Sequence, residues 1–300
     1  MVTDRRDWTT VSFEVGRDAL REWREEHCRR SEEVVELWEH VLSRAPGSLN
    51  QELCSVYEQV CIAALDCGRP ELALECIREL DCRFPRSSRV LRLQAMRYEA
   101  IGRYDTANQI YEQLIENDPT NTAYRKRRVA MLIGQGKRLD AIKALNEYLE
   151  LFINDSEAWM QQSELYLAEA DYTRAAHCVE ELLLHSPMNS IYLRRVGDVR
   201  YSMGNVENVE LAMSYYKEAL RYHPDDLRAL FGIVLCCNQL LGGKASPERK
   251  RELGSAGAAA IDRILERYET VESEAAAPNE TIGIANAVKA MRAAFMKSDK

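Results

Sequence analysis

The feature that most constrains this chain is a period of 34 residues. Gly68, Gly102 and Gly136 are 34 apart, as are Ala73, Ala107, Ala141 and Ala175, and Pro85 and Pro119, with Pro187 two further periods on. Three residue types with different backbone demands share one register, so the chain repeats a unit of fixed length. In such an array each unit packs against its neighbours, and the usual allotment of 300 residues to two globular domains does not apply.

Only 14 glycines and 8 prolines interrupt stretches rich in Glu, Leu, Ala and Arg, which are good helix formers. The expected fold is all-α. With the glycine at position 15 of each unit, the first four units span 54–87, 88–121, 122–155 and 156–189. In the fourth, Trp159, Tyr166, Ala175 and Pro187 fall where the tetratricopeptide pattern has Trp, Tyr, Ala and Pro. The spacing therefore predicts a right-handed solenoid of helix pairs. A fifth unit, 190–226, ends at Pro224, which lies 37 rather than 34 residues after Pro187. Its three extra residues, near Gly204 to Asn208, are expected in the turn between its helices, where insertions cost little.

A degenerate sixth pair, 227–241 and about 248–268, is split by the loop 242–247. Before the array, 16–30 and 31–44 read as two amphipathic helices, with Ser31 as an N-cap ahead of Glu32 and Glu33. After it come a polar linker at 271–280 and a last helix at 281–297. The organisation predicted is 1–53 as an N-terminal cap, 54–241 as the repeats and the start of the sixth, and 242–300 as the C-terminal cap. Within a unit, alanine lets the second helix approach the first, an aromatic such as Tyr98 or Tyr166 fills the space between them, and proline ends the unit.

The net charge of −8, from 48 acidic and 40 basic residues, supplies no global field for nucleic acid. Residues 1–15 lack the apolar core of a secretory signal. The most apolar stretch, 229–241, carries Asn238 and Gln239 and is 13 residues long, against the roughly 20 needed to span a bilayer. Nine scattered cysteines, never spaced C-x-x-C, read as reduced thiols in the cytosol. The acceptor patterns at Asn154 and Asn279 then read as chance matches.

No catalytic, cofactor or metal site is predicted. Gly134-Gln135-Gly136-Lys137 and Gly242-Gly243-Lys244-Ala245 complete neither phosphate-loop pattern. His27-Cys28 and His177-Cys178 are neighbours on helices, where side chains diverge by about 100°. The five histidines show no metal-ligand spacing. Cys236-Cys237 reads as core filling, Glu32-Glu33 and Glu180-Glu181 as solvated faces, and Tyr104, Tyr111, Tyr215 and Tyr216 as repeat core.

Partners of such arrays usually lie on the concave surface lined by the first helices. Positions 2, 5, 9 and 12 of successive units are expected there. They are Ser55, Glu58, Ile62 and Leu65; Arg89, Arg92, Met96 and Glu99; Ala123, Lys126, Ala130 and Ile133; and Glu157, Met160, Glu164 and Leu167. Co-chaperones that grip acidic C-termini carry Lys at position 5 and Asn at position 9, and no unit here has that pair. The run Arg125-Lys126-Arg127-Arg128 is the densest positive charge. It reads as a solvated helix face, or alternatively as a basic patch for an acidic partner segment or anionic headgroups, with nuclear import a third reading.

Beyond the generic repeat, Trp23-Arg24-Glu25-Glu26 and the stretches 57–77 (YEQVCIAALDCGRPELALECI), 83–107 (RFPRSSRVLRLQAMRYEAIGRYDTA), 118–128 (DPTNTAYRKRR), 144–150 (ALNEYLE) and 228–232 (RALFG) resemble the family of subunit 2 of the endoplasmic reticulum membrane protein complex. The likeness runs from about residue 17 to 268. It implies a peripheral, non-catalytic scaffold on the cytoplasmic face of the endoplasmic reticulum, in a complex that inserts transmembrane segments, tail-anchored ones included. It also implies as partners the cytosolic parts of subunits 3 and 5 and the soluble subunit 8 or 9. The alternative is a free tetratricopeptide co-chaperone or adaptor that binds client or chaperone peptides.

Overall fold

At three repeat boundaries proline follows the end of one helix, and a polar residue two positions later caps the next. The computed structural model describes residues 7–243, 246–274 and 286–292. In it the Asn121 side chain accepts a hydrogen bond from the Ala123 N–H at 3.1 Å, Asn189 from Ile191 at 2.9 Å, and Asp226 from Arg228 at 3.0 Å. These caps satisfy N–H groups that the first helical turn leaves without partners. They follow Pro119, Pro187 and Pro224 by two residues.

The helices are α1 (Phe13–Glu25), α2 (Ser31–His40), α3 (Leu53–Asp66), α4 (Pro70–Arg83), α5 (Ser88–Ala100), α6 (Tyr104–Asn117), α7 (Thr122–Gly134), α8 (Arg138–Leu151), α9 (Ser156–Ala168), α10 (Tyr172–His185), α11 (Ser190–Ser202), α12 (Val206–Tyr222), α13 (Leu227–Leu241) and α14 (Pro247–Glu274). Residues 286–292 are also helical, and no strand occurs among the described residues. The rest of the expected last helix and residues 275–280 of the expected linker lie outside them. The chain divides into two compact units, Met1–Ala144 and Leu145–Lys300.

Within each pair the two helices meet through small residues. Ala73, Ala107, Ala141, Ala175 and Ala212 on the second helices have no exposed surface. The position facing them on the first helix is small in four of the five units, with Cys61, Ala95, Ser163 and Gly197 in the 34-residue register, and is Val129 in the third. The approach is close enough that the Cys61 thiol donates to the Ala73 carbonyl at 3.7 Å and the Ser163 hydroxyl to the Ala175 carbonyl at 3.1 Å. In the fifth pair the Tyr216 ring lies between Gly197 and Gly232. A Cβ built on Gly232 would stand 2.6–2.7 Å from ring carbons, and one on Gly197 2.7–3.0 Å.

The turn inside each pair is a left-handed C-cap. Gly68, Gly102, Gly136 and Gly204 have φ between 68° and 79°. Arg69, Arg103 and Lys137 donate back to Ala64, Tyr98 and Leu132 at 2.8, 2.8 and 3.0 Å, the bond of a Schellman motif. In the fourth pair Ala170 occupies the same place with φ 56°, and Asp171 donates to Tyr166 at 2.9 Å. Packing of the pair holds an alanine in a conformation that L side chains resist.

Several sequence expectations need correction. Residues 271–274, expected in the linker, continue α14, and α1 ends at Glu25, so that His27 and Cys28 lie beyond the helix. The three extra residues of the fifth unit do not widen its turn. Gly204 keeps the 34-residue register, α12 starts two residues after it as α4 does after Gly68, and α12 is 17 residues long where α4 is 14. Three residues add close to one helical turn and so preserve the buried face. Ser31 is not an N-cap, since Arg30 takes that place with no side-chain bond. The Ser31 hydroxyl donates instead to Asp66 at 2.7 Å, which also receives Arg29 Nε at 2.7 Å. The Arg29 bond holds the Asp66 carboxyl below the usual range.

In the first unit, α1 and α2 cover the open side of the first pair. Leu20, Trp23, Leu37 and Trp38 join Val56, Tyr57 and Val60 in one core. Trp8 meets Trp23 edge-on at 5.1 Å, and Trp38 meets Tyr57 at 5.2 Å. In the second unit α14 closes the other end with Leu253, Ile261 and Ile264. Val288 is buried in the same core, and Arg292 pairs with Asp262 at 2.8 Å.

Two outcomes follow from these contacts. Ala170→Gly relieves the left-handed alanine and is expected to stabilise the protein by about 0.5–1 kcal/mol in urea denaturation, with an unchanged midpoint contradicting the strain. Gly232→Ala would gain roughly 1 kcal/mol if helix propensity decided the result, but the Tyr216 contact is expected to reverse it to a loss of about 1–3 kcal/mol. Gly47→Ala, where a Cβ meets nothing within 4 Å, serves as the control.

Candidate partner-binding surface

The charged residues of the expected concave face are spent largely on each other. In the first unit the Glu58 carboxylate of α3 receives Arg92 of α5 at 2.6 Å and also Arg89. Glu99 of α5 receives Arg127 of α7 at 2.9 Å and the hydroxyl of the buried Tyr111. In the second unit Glu164 of α9 receives Arg195 of α11 at 2.5 Å, and Arg194 pairs with Asp226 at 3.0 Å. Each pair joins the first helix of one repeat to that of the next. Met96, Ile133 and Met160 are half-buried and Glu157 is exposed.

The basic run does not form one patch. Successive helical residues point about 100° apart, so the four cations of α7 leave in different directions. Arg127 turns inward to Glu99, and Arg128 reaches Asn108 at 3.2 Å and Glu112 at 3.5 Å on α6. Arg125 Nε donates to the Pro119 carbonyl at 3.5 Å, and Lys126 is half-buried. Burial and Glu99 together push the Tyr111 phenol well above its ordinary range, which keeps it a donor in this cluster.

Residues singled out for chemistry sit apart. His177 is exposed and lies 3.8 Å from Glu181, whereas Cys178 is buried. Burial pushes the thiols of Cys61, Cys76, Cys178 and Cys236 up to about 12, so they are protonated and inert as nucleophiles at neutral pH. Burial also raises the Asp198 carboxyl, which accepts from Tyr216 at 2.8 Å. Among the described residues no three His, Cys, Asp or Glu side chains are grouped to hold a metal ion, and no helix is long and apolar enough to cross a membrane. Gly136 forms the turn after α7, and Gly242 and Gly243 follow α13; Lys244 and Ala245 lie outside the described residues. Trp159, the pattern's tryptophan, donates its indole N–H to the Ile153 carbonyl at 2.7 Å.

A second kind of surface has no counterpart in the sequence expectations. Large apolar side chains stand in water where one repeat passes to the next. Leu151 and Ile153 border the α8–α9 turn, Leu184, Met188 and Ile191 the α10–α11 turn, and Tyr222 the α12–α13 turn, with Leu184 75% and Met188 71% exposed. Their recurrence 33–35 residues apart was the available signal, as in Leu151 to Leu184 and Met188 to Tyr222. At the α10–α11 turn three of them, Leu184, Met188 and Ile191, fall within eight residues of chain.

Residues 84–203 match the family described as the EMC2 TPR-like repeat domain. ER membrane protein complex subunit 2 of Xenopus tropicalis is 42% identical over 264 residues, covering 88% of this chain and 89% of that protein. The Dictyostelium discoideum protein of the same name is 32% identical over 232 residues, covering 73% and 72%. Among solved structures, the C-terminal part of a TPR repeat-containing protein from Cytophaga hutchinsonii superposes with a TM-score of 0.58, covering 85% of this chain and 95% of its own at 12% identity. That likeness shows a tetratricopeptide-repeat fold and nothing finer. With helix pairs in the 34-residue register and relatives matched over most of both lengths, the chain belongs to the ER membrane protein complex subunit 2 family.

Proposed function

We propose that this chain is a non-catalytic scaffold subunit of the ER membrane protein complex, held at the cytoplasmic face of the membrane through its partners. In this reading it grips the cytosolic parts of the membrane-embedded subunits 3 and 5 and the soluble subunit 8 or 9. It thereby supports the insertion of transmembrane segments, tail-anchored ones included, without carrying the insertion path. The carrying observation is the match to ER membrane protein complex subunit 2 over most of both lengths, and Leu184 and Met188, 75% and 71% exposed beside the α10–α11 turn, are the apolar side chains most open to a partner. The ion pairs between first helices support the same role. They tie α3 to α5 and α5 to α7 in the first unit, and α9 to α11 and α11 to the start of α13 in the second.

The double variant Leu184→Glu with Met188→Glu tests this. Both side chains are mostly exposed, so the melting temperature of the isolated chain should stay within about 2 °C of wild type. Recovery of co-purifying ER membrane proteins from a mild-detergent extract should fall to less than about one-fifth, because two interfacial apolar side chains are worth roughly 2 kcal/mol or more. Equal recovery with both chains would remove the junction row from the interface. A wild-type chain that brings down no ER membrane protein would overturn the scaffold reading itself.

A further inference from the structure

Where α3, α4 and α5 meet in the first unit, a pocket of about 150 Å³ opens to the surface. Its floor is Leu80, Val90 and Leu93, all buried, and Phe84 stands at its edge with half its surface exposed. A cavity of about this size with apolar walls holds a benzene-sized guest. The charged residues of the lining are Glu58 and Arg89, beside the hydroxyls of Ser55 and Ser87, and Glu58 is bound by both Arg89 and Arg92. Two guanidinium groups against one carboxylate leave a surplus positive charge at the mouth. The Nε of Arg92 is moreover buried without a hydrogen-bond acceptor, while Arg89 is 74% exposed and can reach outward.

The site therefore makes two demands on an occupant: a ring-sized apolar group for the floor, and an anion beside it for the mouth. We propose that this pocket is an anchor site for a partner polypeptide, taking a phenylalanine side chain whose neighbouring residue presents a carboxylate to Arg89. The inference rests on the scaffold reading only in that the occupant is a protein segment. Neither demand by itself would select that occupant. An apolar floor alone would accept any aliphatic chain, and the arginines alone would accept any anion. Together, a few ångströms apart, they read a dipeptide. The carboxylate joins an existing ion-pair cluster, so it completes the charge balance around Arg89 and Arg92 without displacing Glu58.

The full chain, with Leu and Val methyl groups labelled, can be titrated by NMR with N-acetyl-Phe-Asp-amide, N-acetyl-Phe-Asn-amide and N-acetyl-Ala-Asp-amide. The expected result is saturable shifts at the Leu80, Val90 and Leu93 methyls with Phe-Asp. Binding of Phe-Asn should be about fivefold weaker, and Ala-Asp should not saturate over the same range. Arg89→Gln, at an exposed position, should erase the Asp-over-Asn preference and leave Phe-Asn binding unchanged. Absence of saturable shifts, shifts centred elsewhere, equal affinity for Asp and Asn, or a preference that survives Arg89→Gln would each overturn the proposal. Dipeptide binding by a chain that recovers no ER membrane protein would sink the scaffold reading and leave the pocket standing. The reverse pair of results would sink the pocket alone.

Discussion

The fold depends on how closely the second helix of each pair can approach the first. Ala73, Ala107 and Ala175 are all without exposed surface, and opposite them in the register stand Cys61, Ala95 and Ser163. Helix axes can come this near only when both surfaces are small at the crossing. The same approach brings the Cys61 and Ser163 side chains to the facing carbonyls, so the crossing is fixed by direction as well as by volume. Larger groups are then confined to the space above and below it, where Tyr111, Tyr148 and Tyr216 are almost wholly buried. The left-handed turn follows from the crossing too, since two helices packed this tightly must be joined by three residues. That is why Ala170 is held where glycine is easier.

Between repeats the interaction is different. Pairs such as Glu58 with Arg92 and Glu99 with Arg127 link first helix to first helix. Surface ion pairs taken singly contribute little to stability, but these are partly buried, share carboxylates between two donors and recur along the array. They join the first helices of neighbouring repeats within each unit. They also neutralise most of the charge that the inner face would otherwise offer to a partner. Attraction is left to the apolar junction row in the second unit, and to the surplus charge of the Glu58, Arg89 and Arg92 cluster in the first.

Sequence alone carried the architecture, because period, alanine, glycine and proline each report a backbone requirement that survives without knowledge of neighbours. The caps at Asn121, Asn189 and Asp226 were equally readable, two residues after proline, and were passed over. The insertion was misplaced for a specific reason: the distance from Pro187 to Pro224 reveals how many residues were added and not whether they extend a turn or a helix. Gly204 in the 34-residue register held the answer. Ser31 and the arginines of α7 show a different limit. Each side chain found a partner on another helix, Asp66 for one and Glu99 or Glu112 for the others, and no local pattern encodes that choice. The pocket is invisible for the same reason, as its floor and mouth come from three helices.

Within each unit, closely packed helix pairs are tied to their neighbours by ion pairs between first helices. Burial keeps the thiols of Cys61, Cys76, Cys178 and Cys236 protonated. The central claim is that the chain works as one fixed component of a larger membrane-bound particle. Native mass spectrometry of the endogenous chain released from membranes in mild detergent tests that most directly. The account predicts one copy of the 34.4 kDa chain within a particle containing integral membrane proteins at equal copy number. A free 34.4 kDa species, or one bound only to soluble chaperones, would contradict it.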